Sequence, residues 1–308
     1  MYREFVFRAI FGFLIFVLLL GLPESRLYAD SKADQVDVSE LYREYPVVLG
    51  SSLREGWFDP WPHKHFSRNG TPLVHSFGLE PAFLDRDFFL DTRWINTSNG
   101  DELEIEAELE WAISRRLGMV VELPYLQLSP NIGKNTSGVG DLAIAPRFLL
   151  GEFDRILLSA NLEIGLPSGD LDQSLGKGET ALAPSVSVWM DLGSWITIGT
   201  QLGIEEGVKS GESELFYNAS LGYSFLTHGS KENLVYRHFP RGLSHLILEL
   251  TGRIPLDEDG WNAHSSELLF GVSHTLTEYW EIRGGYIVPL GRPRIMDYGI
   301  TLGLIYHF

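Results

Sequence analysis

The sequence predicts an all-β chain, a transmembrane antiparallel β-barrel of about 12 strands. Three observations carry that expectation. Polar and apolar residues alternate strictly in DELEIEAELEW, residues 101–111; the alternation recurs in segments of roughly 10 to 13 residues to the C-terminus; and the connections between segments are alternately short and long.

In the first stretch Glu102, Glu104, Glu106, Glu108 and Glu110 occupy every second position, with Leu103, Ile105, Ala107, Leu109 and Trp111 between them. On a helix, residues two apart point about 200° apart, which would scatter acid and oil around the cylinder. On a strand the same spacing sorts them into a row of carboxylates and a row of apolar groups. Such a strand needs water on one face and an apolar medium on the other.

Composition fits two media. The 308 residues are 44% hydrophobic and 21% charged, which excludes a disordered chain. Gly is abundant at 32, and the aromatic residues are 12 Tyr, 18 Phe and 8 Trp, suited to tight turns and to interfacial girdles. The absence of Cys excludes disulfides, thiolate metal sites and cysteine nucleophiles. A net charge of −17 argues against nucleic acid as a partner, because phosphate contacts require basic surface.

Residues 1–29 read as a cleaved export signal. Arg3 and Arg8 precede or flank the apolar run Ala9–Leu22, and a polar stretch follows that ends in Leu27-Tyr28-Ala29. The run is shorter than the roughly 20 residues a spanning helix needs. Residues 30–85 are expected to be a periplasmic segment or a plug. Within it Pro62-His63-Lys64-His65, with His75 nearby, offers imidazoles, but no acidic or sulfur ligand is fixed beside them in sequence. The expectation there is a solvated loop and no metal site.

The barrel is expected over 86–308. Its first segment, 86–96, sets Phe88, Leu90 and Trp94 against Asp87, Asp91 and Arg93. The acid row follows, then Leu117, Met119, Val121, Leu123 and Tyr125 against a face carrying Glu122. The next segments are 142–150, with Asp141 and Arg147 on the polar face, and 155–166, with Arg155 and Glu163 there. Segments at 182–190, 196–204 and 215–225 have small or polar opposite rows. The last four place Glu249 and Arg253, Glu267, and Glu281 and Arg283 opposite apolar rows, and end on Tyr298, Ile300, Leu302, Leu304, Tyr306 and Phe308. Short turns fall at 114–116, 151–154, 192–194 and 277–278, and longer loops at 129–138, 167–179, 206–213, 256–263 and 291–296. The 227–242 connection breaks that rhythm, so either an extra element sits there or the strand count fails nearby.

A soluble lipocalin-like or sandwich fold would show the same periodicity with its apolar rows turned inward. The membrane reading leads because large aromatics end the apolar rows, and because a barrel this wide cannot be filled by those side chains.

Several stretches resemble the outer-membrane barrels of the pathway-of-phenol-degradation (MetA-pathway) family, a transporter-like group of Gram-negative bacteria. They are Ala112-Ile113-Ser114-Arg115-Arg116-Leu117 leading to Leu123-Pro124-Tyr125, Gly138-Val139-Gly140-Asp141-Leu142 with Pro146-Arg147-Phe148, and Leu166-Pro167-Ser168-Gly169-Asp170. The closing Ile305-Tyr306-His307-Phe308 is similar to the terminal signal by which such barrels are handed to their assembly machinery. The resemblance spans roughly 73–308 and implies a porin-like channel in the bacterial outer membrane, in contact with its lipids. It also implies passive transport of small solutes, aromatic or apolar ones included, with no cofactor and no catalytic residue.

The polar rows supply the lumen-lining candidates Glu102, Glu104, Glu106, Glu108, Glu110, Glu122, Asp141, Arg147, Arg155, Glu163, Glu249, Arg253, Glu267, Glu281 and Arg283. An acid row inside a barrel favours cations in transit, whereas arginines on the same faces would instead cross-brace the interior. A non-conducting structural or adhesion barrel is the first rival reading. A lipid hydrolase built on His264 and Ser266 is the second, with no neighbouring Asn, Asp or Glu to orient the imidazole.

Overall fold

Alternation in the sequence becomes alternation in space. In a computed structural model of the chain, which describes residues 37–227, 236–256, 264–290, 294 and 296–308, the twelve expected segments are antiparallel strands closed on themselves. In chain order they are β1 (Arg86–Thr97), β2 (Gly100–Ala112), β3 (Leu117–Pro130), β5 (Leu142–Glu152), β6 (Ile156–Leu166), β7 (Ala181–Gly193), β8 (Ile196–Gly207), β9 (Ser213–Leu226), β10 (Leu243–Pro255), β11 (Ser265–Thr275), β12 (Trp280–Leu290) and β13 (Tyr298–His307). Each pairs with its sequence neighbours, β3 pairs with β5, and β1 pairs with β13 to close the cylinder. A short additional strand, β4 (Thr136–Val139), folds back on the far end of β3 inside the expected 129–138 loop. The expected export signal, residues 1–29, lies outside the described residues.

The even strand count brings the ends of the barrel together: Phe308 N–H donates to Arg86 O at 3.1 Å. The 227–242 connection does not disturb the count, because β9 and β10 pair directly from Leu226↔Leu243 to Glu214↔Pro255. Its described end instead carries Tyr236 and Phe239, both buried, into the short-turn end of the barrel. There they pack with Phe66, Trp195, Leu243 and Leu41 of the helix α1 (Ser39–Glu44).

The outer surface is apolar. Leu90, Leu246, Phe270, Val272, Ile282, Ile300 and Leu302 are exposed, Leu302 at 63%. Contiguous exposed apolar area of this kind marks a surface built for contact with something other than water. Aromatic rings border it at both ends. Trp111, Trp280, Tyr306 and Phe308 contact one another in a chain at the short-turn end, and Trp94, Tyr286 and Tyr298 do so at the other. Two such belts around an apolar band are the arrangement of barrels that cross a bilayer.

The inner surface is polar and partly filled. Residues 61–85 run inside the short-turn half, where Trp61, Leu73, Ala82, Phe83 and Leu84 form a core with Leu149, Leu157 and Trp189. Burying large rings here contributes roughly 1.5–3 kcal/mol apiece. Chain polarity is met from the wall: Glu249 accepts N–H bonds from Phe77 (2.8 Å) and Gly78 (3.0 Å), Gln201 accepts from Glu80 N–H, and Arg283 donates to Ser76 O at 2.7 Å. The segment ends at Asp85, one residue before β1 begins.

Candidate functional site: the lumen and its inner segment

The acid row of β2 faces the lumen because Leu103, Ile105 and Leu109 take the outer face, and a one-residue slip would reverse both rows. Its register against β3 sets Glu108 directly opposite Glu122. Glu104 and Glu106, with Asp91, Arg93, Glu249, Arg253 and Glu267, line a cavity of about 370 Å³ whose apolar patches are Phe77, Phe216, Leu269 and Ile287. A second space of about 170 Å³ lies around the inner segment and is lined by Glu106, Glu108, Glu110, Glu122, Glu163 and Arg283. Phe77, Gly78, Phe216, Asn218 and Arg253 border both.

The charges divide into two groups. Arg147, 1% exposed, is braced by Glu110 at 3.2 Å and by Glu80 of the inner segment. Arg93 pairs with Glu267 at 2.7 Å, Arg283 Nε donates to Asp91 at 2.9 Å, and Arg253 reaches Glu205 at 2.7 Å and Glu214 at 3.3 Å. Glu104, Glu106, Glu108, Glu122 and Glu163 make no ion pair among the described residues. The interior is therefore both cross-braced and acidic, with the unpaired carboxylates concentrated on one wall, β2, β3 and β6.

Three candidates differ from the sequence expectation. Asp141 does not line the lumen: its carboxylate accepts N–H bonds from Gly169 (2.8 Å) and Lys177 (2.6 Å), fixing the 167–180 loop. It precedes the first residue of β5, so strand alternation does not govern it. Arg155 sits in the turn before β6, where its carbonyl accepts from Asp191 N–H. Glu102 is exposed, near the hairpin joining β1 and β2. Glu281, by contrast, is buried below the cavity against Thr275 and 3.9 Å from His307.

The histidines of the inner segment are not in a solvated loop. His65 and His75 are 1% and 5% exposed because the barrel encloses the stretch that local sequence reads as turn-rich. Burial, reinforced by the neighbouring His65, pushes His63 down to about 4. Its Nε2 lies 3.3 Å from His65 Nε2, and its ring stacks on Trp61. Asp85 and Asp87, neither singled out as a functional residue by sequence reading, stand beside His75. Two Asp at strand spacing just after an imidazole-rich stretch was the available signal.

His264 and Ser266 are each engaged: His264 Nε2 is 2.8 Å from Tyr217 Oη, and Ser266 Oγ donates to Leu290 O at 3.1 Å.

With this geometry in view, comparison with known proteins adds the fold. An outer membrane channel from Pseudomonas putida F1 is similar over 76% of this chain and 100% of that one, with a TM-score of 0.53 and 14% identity. The NanC porin is similar over 71% of this chain and 100% of that one, with a TM-score of 0.50 and 12% identity. The chain shares the fold of these barrels. No family model matches it, and neither does any curated protein.

Proposed function

We propose that the protein is a bacterial outer-membrane channel for passive passage of small solutes, with a preference for cationic over anionic ones. The observation that carries this reading is the set of five carboxylates without ion-pair partners among the described residues, along one wall and shared between the two lumen spaces. Held behind a low-dielectric wall, such charges focus a potential of several kT, which raises the local concentration of cations and lowers that of anions. Phe77, Phe216, Leu269 and Ile287 give the 370 Å³ space, which Glu104 and Glu106 line, its apolar patches, which suits amphiphilic cations. The likeness to two channel barrels supports a passive role, and the family resemblance favours small aromatic or apolar solutes.

Residues 61–85 support a second reading, a structural barrel closed at its short-turn half. Planar bilayer recording under a salt gradient separates the two. The channel reading predicts a reversal potential of cation-selective sign, which moves toward zero when Glu104, Glu106, Glu108, Glu122 and Glu163 are together replaced by Gln. Absence of conductance in correctly folded protein favours the closed barrel, and a selectivity unchanged in the fivefold variant refutes the role of the acid wall.

A further inference from the structure

Three buried ligand atoms converge where the inner segment meets β1, and His65 stands beside one of them. His75 Nε2 lies 2.9 Å from Asp87 Oδ2 and 3.8 Å from Asp85 Oδ2, and His65 Nδ1 lies 3.5 Å from the same Asp85 oxygen. His75 Nε2 and the two carboxylate oxygens all fall within 4.8 Å of one another. The residues are 0–5% exposed. None of these four atoms makes a hydrogen bond of acceptable geometry, despite the short separations. Buried polar atoms without a well-formed hydrogen bond are costly, and the three that face one point call for an occupant.

The outward-facing oxygens of the same carboxylates are held. Asp87 Oδ1 is 2.9 Å from His307 Nδ1, and Asp85 Oδ1 accepts Arg86 N–H at 3.0 Å. Both carboxylates are thereby turned so that Oδ2 points at the imidazoles. This is how second partners orient metal ligands. Donors bonded to one tetrahedral ion at about 2.0–2.2 Å sit roughly 3.3–3.5 Å apart, and the two separations from His75 Nε2, 2.9 and 3.8 Å, bracket that range.

We propose that His75 Nε2, Asp85 Oδ2 and Asp87 Oδ2 bind one divalent transition-metal ion, with zinc(II) the best match to the donor set and His65 Nδ1 positioning the Asp85 carboxylate. One neutral imidazole and two carboxylates neutralise a divalent ion, which would take the place of the His75–Asp87 ion pair. Two ligands, His75 and Asp85, come from the inner segment and the third, Asp87, from β1, so the ion pins the inner segment to the barrel wall. The site stands apart from the acid wall of the cavity, and its occupancy is measurable whether or not the barrel conducts.

The test uses the full-length chain refolded into detergent in the presence of EDTA and freed of chelator. Its folding is verified by heat-modifiable electrophoretic migration. Calorimetric titration with ZnCl2 is expected to show one tightly bound equivalent, weakened on the order of tenfold or more in His75→Gln and Asp85→Asn, and roughly tenfold in His307→Gln, which leaves every ligand in place. X-ray absorption fine structure on the zinc-loaded wild type is expected to show one imidazole in a shell otherwise made of oxygen donors, a reading that needs no variant to fold. The proposal is overturned by folded wild type that takes up no zinc, by a spectrum with no imidazole, or by uptake lost in His63→Gln yet intact in His75→Gln, which would put the ion at His63.

Discussion

Arg147 shows what a single buried charge demands of its surroundings. Its guanidinium meets Glu110 from β2, Glu80 from the inner segment and the Phe83 carbonyl, so its satisfaction requires both the wall and the inner segment. Removing one partner of a buried pair leaves the other uncompensated, at a cost of about 3–5 kcal/mol. Arg147→Leu should therefore lower the unfolding free energy by that order in a denaturant titration, and Arg147→Leu combined with Glu110→Leu should recover much of the loss. His63 supplies a dependence on pH. Its pKa falls from 6.5 to about 4 on folding, so between those values the unfolded chain binds more protons and stability rises with pH. The protein should lose stability as pH falls from 6.5 toward 4. His63→Gln should flatten that part of the curve, as thermal denaturation across the window would show. Of the residue-level chemistry, alternation exposed the lumen charges on the strands but not Asp141 or Arg155, which lie outside the strands where the period-two rule has no force.

At the scale of elements, the inner segment and the wall are fitted to each other. Gly271 of β11 faces the lumen where the Phe77 ring presses on it, and a Cβ there would overlap the ring. Gly271→Ala should cost about 1–3 kcal/mol by overpacking and displace Phe77 rather than break the strand. Limited proteolysis should then cut residues 73–83 faster while leaving the barrel intact. Glu249→Gln tests the same contact from its polar side. An amide oxygen accepts only part of what the carboxylate does, so protease protection of Phe77 and Gly78 should fall while barrel migration is unchanged. All twelve strands were readable from sequence because closure around a lumen forces each one to alternate. The inner segment was not, because it has no period: many of its contacts with the wall are made far along the chain, 88 positions away for Lys64–Glu152 and 207 for Ser76–Arg283, and turn-rich local sequence gives no hint that a barrel surrounds it. Lys64, buried against Glu152 at 3.2 Å, is such a contact. The 16-residue link at 227–242 was legible as an anomaly, and Tyr236 and Phe239 give the reason: they seal the end of the barrel beside α1.

For the whole molecule, two solvents explain one sequence. The apolar rows and aromatic belts form a band facing outward, and the acidic rows, braced in part by arginine, face a hydrated interior. A soluble barrel would reverse this, and the position of the glutamates decides against it. The chain contains no cysteine, so single cysteines can report each face without background labelling. The most direct measurement places an environment-sensitive fluorophore at Leu302→Cys and, separately, at Glu106→Cys in protein folded into vesicles, with brominated lipid as quencher. The two-solvent arrangement predicts strong quenching and blue-shifted emission at position 302, and at position 106 little quenching and emission characteristic of water. Equal quenching at both positions, or quenching at 106 alone, would contradict it.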